Sequence, residues 1–209
     1  MTNTEMLAKV RFLVDEANIG FYDNNSEIFP ALTDGQRHYA SIILSQYIAR
    51  LKVNPSEPIP ETLLPLYTST GSTLGAGIVL FTKPTDLLYD IGLSLTVNSV
   101  SYQPIKRELS KIILTEKADT YLGGSYSYYN IDGTNVNLEN GAVTPTSTTY
   151  TFYYLKIPTD ITSSVNPILP SFTHMSICQY AFADLLIKAR RSNDAQLAFQ
   201  KFLTMITYQ

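Results

Sequence analysis

The sequence predicts an α+β fold, mainly helical, in which a helical bundle formed by the N- and C-terminal helices carries an inserted antiparallel β-section. Three observations predict it. Apolar residues recur with a helical period at both chain ends, and between about residues 66 and 166 the period falls to two. Prolines crowd the approaches to that middle stretch, with Pro55, Pro58, Pro60 and Pro65 before it and Pro158, Pro167 and Pro170 toward its end. Residues 1–65 and 167–209 are therefore expected to form the helical core, and 66–166 the inserted β-rich section. A chain of 209 residues suits one domain with such an insertion, and it can bury roughly 70% of its unfolded surface without disulfide or metal.

The elements follow in order. Thr2 and Glu5 have capping-box spacing, and behind them Met6, Val10, Leu13, Val14 and Ala17 make an apolar stripe that Asn18 and Gly20 end. After a turn at Asp23–Ser26, Pro30 either sits in a first helical turn or splits off a short one. Thr33 and Gln36 then offer a fresh cap to a stripe of Tyr39, Ala40, Ile43, Leu44, Tyr47, Ile48 and Leu51. The glycines Gly71, Gly75 and Gly77 read as a flexible approach to a strand at Ile78–Phe81. Leu87–Val97 and Val100–Ile105 read as strands about an Asn98–Ser99 turn, and a short helical segment is expected over Arg107–Lys117. Tyr126–Ile131 and Thr134–Leu138 flank Asp132–Gly133, a strong hairpin signal, and Thr149–Ile157 is a Thr/Tyr/Phe-rich strand. The last two helical stripes are Cys178, Ala181, Phe182, Leu185, Leu186 and Ala189, then Ala195, Ala198, Phe199, Phe202, Met205 and Ile206.

Composition narrows the function. Only 16% of residues are charged, against about 25% in an average domain, and fifteen tyrosines help fill the gap. Such a surface reads either as an ordinary solvated Tyr/Thr-rich β-region or as a contact surface; low charge and abundant tyrosine occurring together favour contact. A net charge of −3 gives no basic field for nucleic acid, and the clusters Lys106, Arg107, Lys111 and Lys188, Arg190, Arg191 read as solvated helix faces or ends. The start, MTNTEMLAKV, lacks a basic-then-apolar pattern, and no apolar run approaches the roughly 18 residues of a span, so neither signal peptide nor membrane segment is expected. The expected compartment is the cytosol, or a particle assembled there.

No catalytic or cofactor constellation is expected. His38, on the outer face of the second helix, and His174, in a first helical turn, have no second ligand at metal spacing. Cys178 lies on an apolar helix stripe and reads as core. Gly71-Ser-Thr-Leu-Gly75-Ala-Gly77 lacks the Lys-Ser/Thr that completes a phosphate loop, and Asp132-Gly133-Thr134-Asn135 lacks the acidic series of a calcium loop. Asp15, Glu16 and Asp90 make no convincing carboxylate pair for glycoside chemistry. Tyr121, Tyr126, Tyr128 and Tyr129 concentrate aromatics where lysine and arginine are missing, which favours protein contact over sugar and removes single-stranded nucleic acid. With Phe199 and Phe202 of the last helix they are the candidate interface residues.

With these residues laid out, the chain resembles the head–tail connector (portal adaptor) proteins of tailed bacteriophages. VRFLVDEAN (Val10–Asn18), Tyr22-Asp23 and EIFPALTDGQRHYA (Glu27–Ala40) are similar to that family's opening helix, turn and "G-Q-R" helix. LTVNSVSYQPIKR (Leu95–Arg107) resembles its hairpin with a "V-N-G-V-x-Y-x-P" motif. TYTFYYLKIPTDI (Thr149–Ile161) with LPSFTHMSICQYAFADLLIKAR (Leu169–Arg190) resembles its closing segment, ahead of a last helix of "A-x-x-x-f-x-x-x-l" type. The chain departs from the pattern at Pro30, at Thr33 and in its long Tyr/Gly-rich middle. The resemblance implies a non-enzymatic virion protein of the phage neck, without cofactor. It implies a ring, expected as a dodecamer, that docks on the portal, receives the next tail or neck protein and lets DNA pass as cargo. A tail-completion or stopper protein is the near alternative, and a carbohydrate-binding module or a hydrolase the alternatives of other classes.

Overall fold

A computed structural model of the chain describes residues 1–15, 21–75, 78–97, 99–106, 128–139 and 147–207. It is an α+β protein, with four α-helices and eight strands in two sheets among the described residues. The chain divides into two compact units, Met1–Leu66 with Ile157–Gln209, and Tyr67–Lys156. The second boundary falls at Ile157 rather than Pro167, because Ile161 is buried and its backbone N–H bonds Thr33 of the helical unit at 2.9 Å.

In the helical unit, α1 (Asn3–Leu13) starts with the capping box: Thr2 Oγ1 accepts from Glu5 N–H, and the Glu5 carboxylate accepts from Thr2 N–H at 2.7 Å. It ends earlier than Asn18, since Asp15 already takes a positive φ of 59°. Asp23 then caps a five-residue π-turn, Asn24–Ile28, which runs directly into α2 (Phe29–Leu51). Pro30 is tolerated in the first turn of α2, so no fresh cap is needed and Thr33 is freed for a tertiary bond. Helices α3 (His174–Lys188) and α4 (Ser192–Thr207) follow, and α1, α2 and α4 each pack on α3.

In the second unit, β1 (Tyr67–Gly75), β8 (Ser147–Lys156), β3 (Leu87–Val97) and β4 (Val100–Tyr102) form one sheet in that spatial order. The other is β2 (Leu80–Thr82), β7 (Asn135–Glu139), β6 (Tyr128–Asp132) and β5 (Ile105–Lys106). Leu93, Leu95, Phe152 and Tyr154 from the first sheet share a core with Phe81, Tyr129, Val136 and Leu138 from the second. The β-section is not wholly antiparallel, because β5 pairs with β6 in parallel. Lys106 therefore lies on a strand, not a helix, and the segment Arg107–Lys117 lies outside the described residues. Gly71 is likewise mid-strand rather than in an approach, where a Cβ would meet the Tyr150 carbonyl oxygen at 2.5 Å. The hairpin between β6 and β7 turns at Gly133, whose φ of +31° suits glycine.

Candidate assembly surface

Three residues of α2 clasp the returning chain. Gln36 is 0% exposed; its Nε2 donates to the Thr159 carbonyl at 2.9 Å, and its Oε1 accepts from Ile168 and Leu169 N–H at 2.9 and 3.4 Å. Thr33 accepts from Ile161 N–H at 2.9 Å. A Cβ on Gly35 would sit 3.0 Å from the Ile177 carbonyl oxygen and 3.1 Å from Tyr180 Cδ1, so glycine lets α2 and α3 approach closely. An irregular proline-bordered segment has no ladder for its backbone groups, and these side chains supply the missing partners.

Beside the clasp, His38 of α2, Tyr180 of α3, and Phe199 and Phe202 of α4 form an aromatic cluster with ring centroids 5.1–6.0 Å apart. His38 lies on the exposed face of α2, yet its ring is held against these aromatics. The cluster opens into a groove of about 370 Å³ between α3 and α4, lined by Tyr180, Ala183, Ile187, Ala195 and Phe199, with Asp184 and Gln196 among its polar residues. Ile187 is 62% exposed there. Burial raises the Tyr180 phenol above its ordinary value, helped by Asp184 and Asp34 nearby.

The candidate interface residues fare differently. Tyr121 and Tyr126 lie outside the described residues. Tyr128 is half-buried on β6. Tyr129 is 2% exposed and Phe202 is 0% exposed, so both are interior residues of their units and offer no contact surface. Alternation along a strand requires Tyr128 and Tyr129 to face opposite ways, a signal that could have separated them. Phe199 is half-buried in the groove. Sequence reasoning missed Tyr180 and Ile187, which flank a stripe and carry no distinguishing motif.

The bonding of Tyr129 explains its place. A bulge in β3 turns Asp90 inward, where it accepts from the Tyr129 hydroxyl at 3.0 Å and from the Lys106 ammonium. Burial, then the Asp90 charge, pushes the Tyr129 phenol far above its ordinary value. Cys178 is buried too, with its thiol pushed up to about 12 by desolvation. A second depression, of about 330 Å³, is lined by Asn25, Thr33, Asp34, Arg37, Asp160 and Thr162, and within it Arg37 pairs with Asp160 at 2.6 Å. Among the described residues no three His, Cys, Asp or Glu side chains gather as a metal site, and no helix is long and apolar enough to cross a membrane.

The sequence matches no protein-family model and no curated protein.

Proposed function

We propose that this chain is a structural subunit that assembles with copies of itself and with neighbouring virion proteins, in the manner of the head–tail connectors of tailed bacteriophages. In this reading a helical bundle carries an inserted β-section, the working form is a ring, and the ring joins portal to tail while extending the DNA channel. Its mechanism is positional: it presents a new docking surface below the portal, and a ring docking as one body multiplies weak single contacts.

One observation carries the reading. The opening and closing stretches that resemble the connector family meet at one place, with Thr33, Gly35 and Gln36 of the opening stretch against Ile161, Leu169 and Ile177 of the closing ones. Residues that share a motif because of composition alone have no reason to converge on one buried clasp.

Mixing the purified chain with a portal protein of a tailed bacteriophage, then imaging by electron microscopy, tests the reading. The expected result is extra ring density below the portal, with the chain labelled at the neck of intact particles. Portals left bare at saturating chain, and particles without label, would overturn it. The stacked pair Tyr67 and Tyr153, with ring centroids 6.2 Å apart and Tyr67 exposed, favours carbohydrate binding as a second reading, which a glycan array with no hit would remove.

A further inference from the structure

A strand at the edge of a sheet offers a row of unpaired N–H and C=O groups, which proteins guard with short length, lysine, proline or a bulge. Among the described residues the edge strands of the two sheets are β1, β4, β2 and β5, and all but β1 are guarded in this way. β4 and β2 have three residues each, and β5 has two. Pro104 stands just past β4, Lys83 and Pro84 follow β2, and β5 carries Lys106. β1 differs in every respect. It runs for nine residues, Tyr67–Gly75, and pairs with β8 residue by residue without a shift of register. Its sequence, YTSTGSTLG, holds no charged residue and no proline. No described strand lies on its other side.

The strand is also matched to itself. In an antiparallel pair of two β1 strands centred on Gly71, Thr70 meets Ser72, Ser69 meets Thr73, Thr68 meets Leu74 and Tyr67 meets Gly75. The hydroxyl pairs bond across the strands, and the Tyr67 ring covers a glycine, both of which stabilise a sheet. Like charges set opposite one another destabilise such a pair, and here neither copy brings a charge. Alternation puts Tyr67, Ser69, Gly71, Thr73 and Gly75 on one face, where all five are exposed, so a second strand displaces no buried side chain there.

We propose that β1 pairs antiparallel with β1 of a second copy of this chain, about a two-fold axis at Gly71, and so joins two sheets into one. The chemistry of the edge selects the occupant. A row of backbone donors and acceptors takes an extended strand, and an uncharged strand of matching register is present in every copy. A two-fold contact uses the same patch on both copies, so it stops at a pair. Little area meets along a single strand edge, so the pair is weak and depends on concentration. The contact goes beyond the connector reading and does not rest on it.

Analytical ultracentrifugation of the full chain, from micromolar to submillimolar concentration, tests the pairing, and a reversible monomer–dimer equilibrium is expected. Ser69→Lys with Thr73→Lys sets lysine against lysine at both positions, and should raise the dimer dissociation constant about tenfold or more. Ser69→Lys with Thr73→Glu in one chain sets each lysine against a glutamate of the other copy, and should return the constant to within about threefold of the parent. The two positions lie about 14 Å apart along one strand, so the rescue reports the other copy's residue and not the chain's own. A second readout carries no charge. Tagged Ser69→Cys mixed with untagged Thr73→Cys and oxidised should give the mixed dimer, whereas either variant alone should not cross-link, its thiols being about 14 Å apart across the pair. A chain that stays monomeric, an association that survives both lysines, a lysine–glutamate variant without rescue, or cross-linking as strong in the single variants sinks the proposal. No portal enters these measurements: failure here leaves the connector reading standing, and bare portals leave this pairing standing.

Discussion

At the scale of single residues, Gln36 shows how one side chain secures a stretch of chain that has no secondary structure. Its fully buried side-chain amide meets two backbone N–H groups and one carbonyl of the 157–169 segment. Gln36→Leu removes the partner and leaves those groups desolvated, so a loss of about 2–3 kcal/mol is expected in urea unfolding. A variant as stable as the parent would show that the segment is held by packing instead. His174 brings a pH dependence of known sign. Its Nε2 contacts the Leu169 carbonyl at 2.8 Å and so carries the proton, while Nδ1 is buried without a partner. Burial is the main cause that holds this imidazole below its ordinary value of 6.5, against the pull of the Leu169 carbonyl. The unfolded chain therefore takes up a proton before the folded one does, and stability present above about pH 6.5 is lost as pH falls below it. The urea midpoint should drop between pH 7 and pH 5, and His174→Gln should show a smaller drop across the same interval.

At the scale of elements, what was legible followed period and turn chemistry. The capping box of α1, the Gly133 hairpin and the Thr149–Lys156 part of β8 were all readable, because each depends on residues close in sequence. The departures have tertiary causes. Thr33 looked like a cap, since only the folded chain shows that Ile161 competes for its hydroxyl. Asp90 looked like an isolated carboxylate, since the bulge that turns it inward leaves no mark in the apolar alternation of the sequence, Leu87, Tyr89, Ile91, Leu93, Leu95 and Val97. Lys106 read as helical because its true partners, Asp90 and β6, are distant in sequence. Gly71 is the clearest case. Three glycines in seven residues suggested flexibility, whereas the central requirement is room for the Tyr150 carbonyl of the adjoining strand. Gly71→Ala should push β1 from β8 and cost about 1–3 kcal/mol. The check is amide exchange along Tyr67–Gly75: faster exchange is expected there, and unchanged protection would show that the pair adjusts freely.

At the scale of the whole molecule, the register between β1 and β8 makes a statement about how the chain was put together. Tyr67 stands opposite Leu155 in an antiparallel pair, so the chain leaves the helical unit and returns to it through adjacent strand ends. Directly opposed residues of such a pair are about 5 Å apart, a gap that a very short linker spans. The helical unit also has an interior of its own: Met6, Val10, Leu32, Tyr39, Leu185 and Phe202 are buried, and all lie within Met1–Leu66 or Ile157–Gln209. Replacing Tyr67–Lys156 with about four Gly/Ser residues should therefore leave a cooperative, helical protein. Loop closure favours this outcome, since a shorter connection costs less entropy on folding. Far-UV circular dichroism and a single sharp urea transition are the expected observations. A broad, non-cooperative transition would mean that the helical unit depends on the inserted strands.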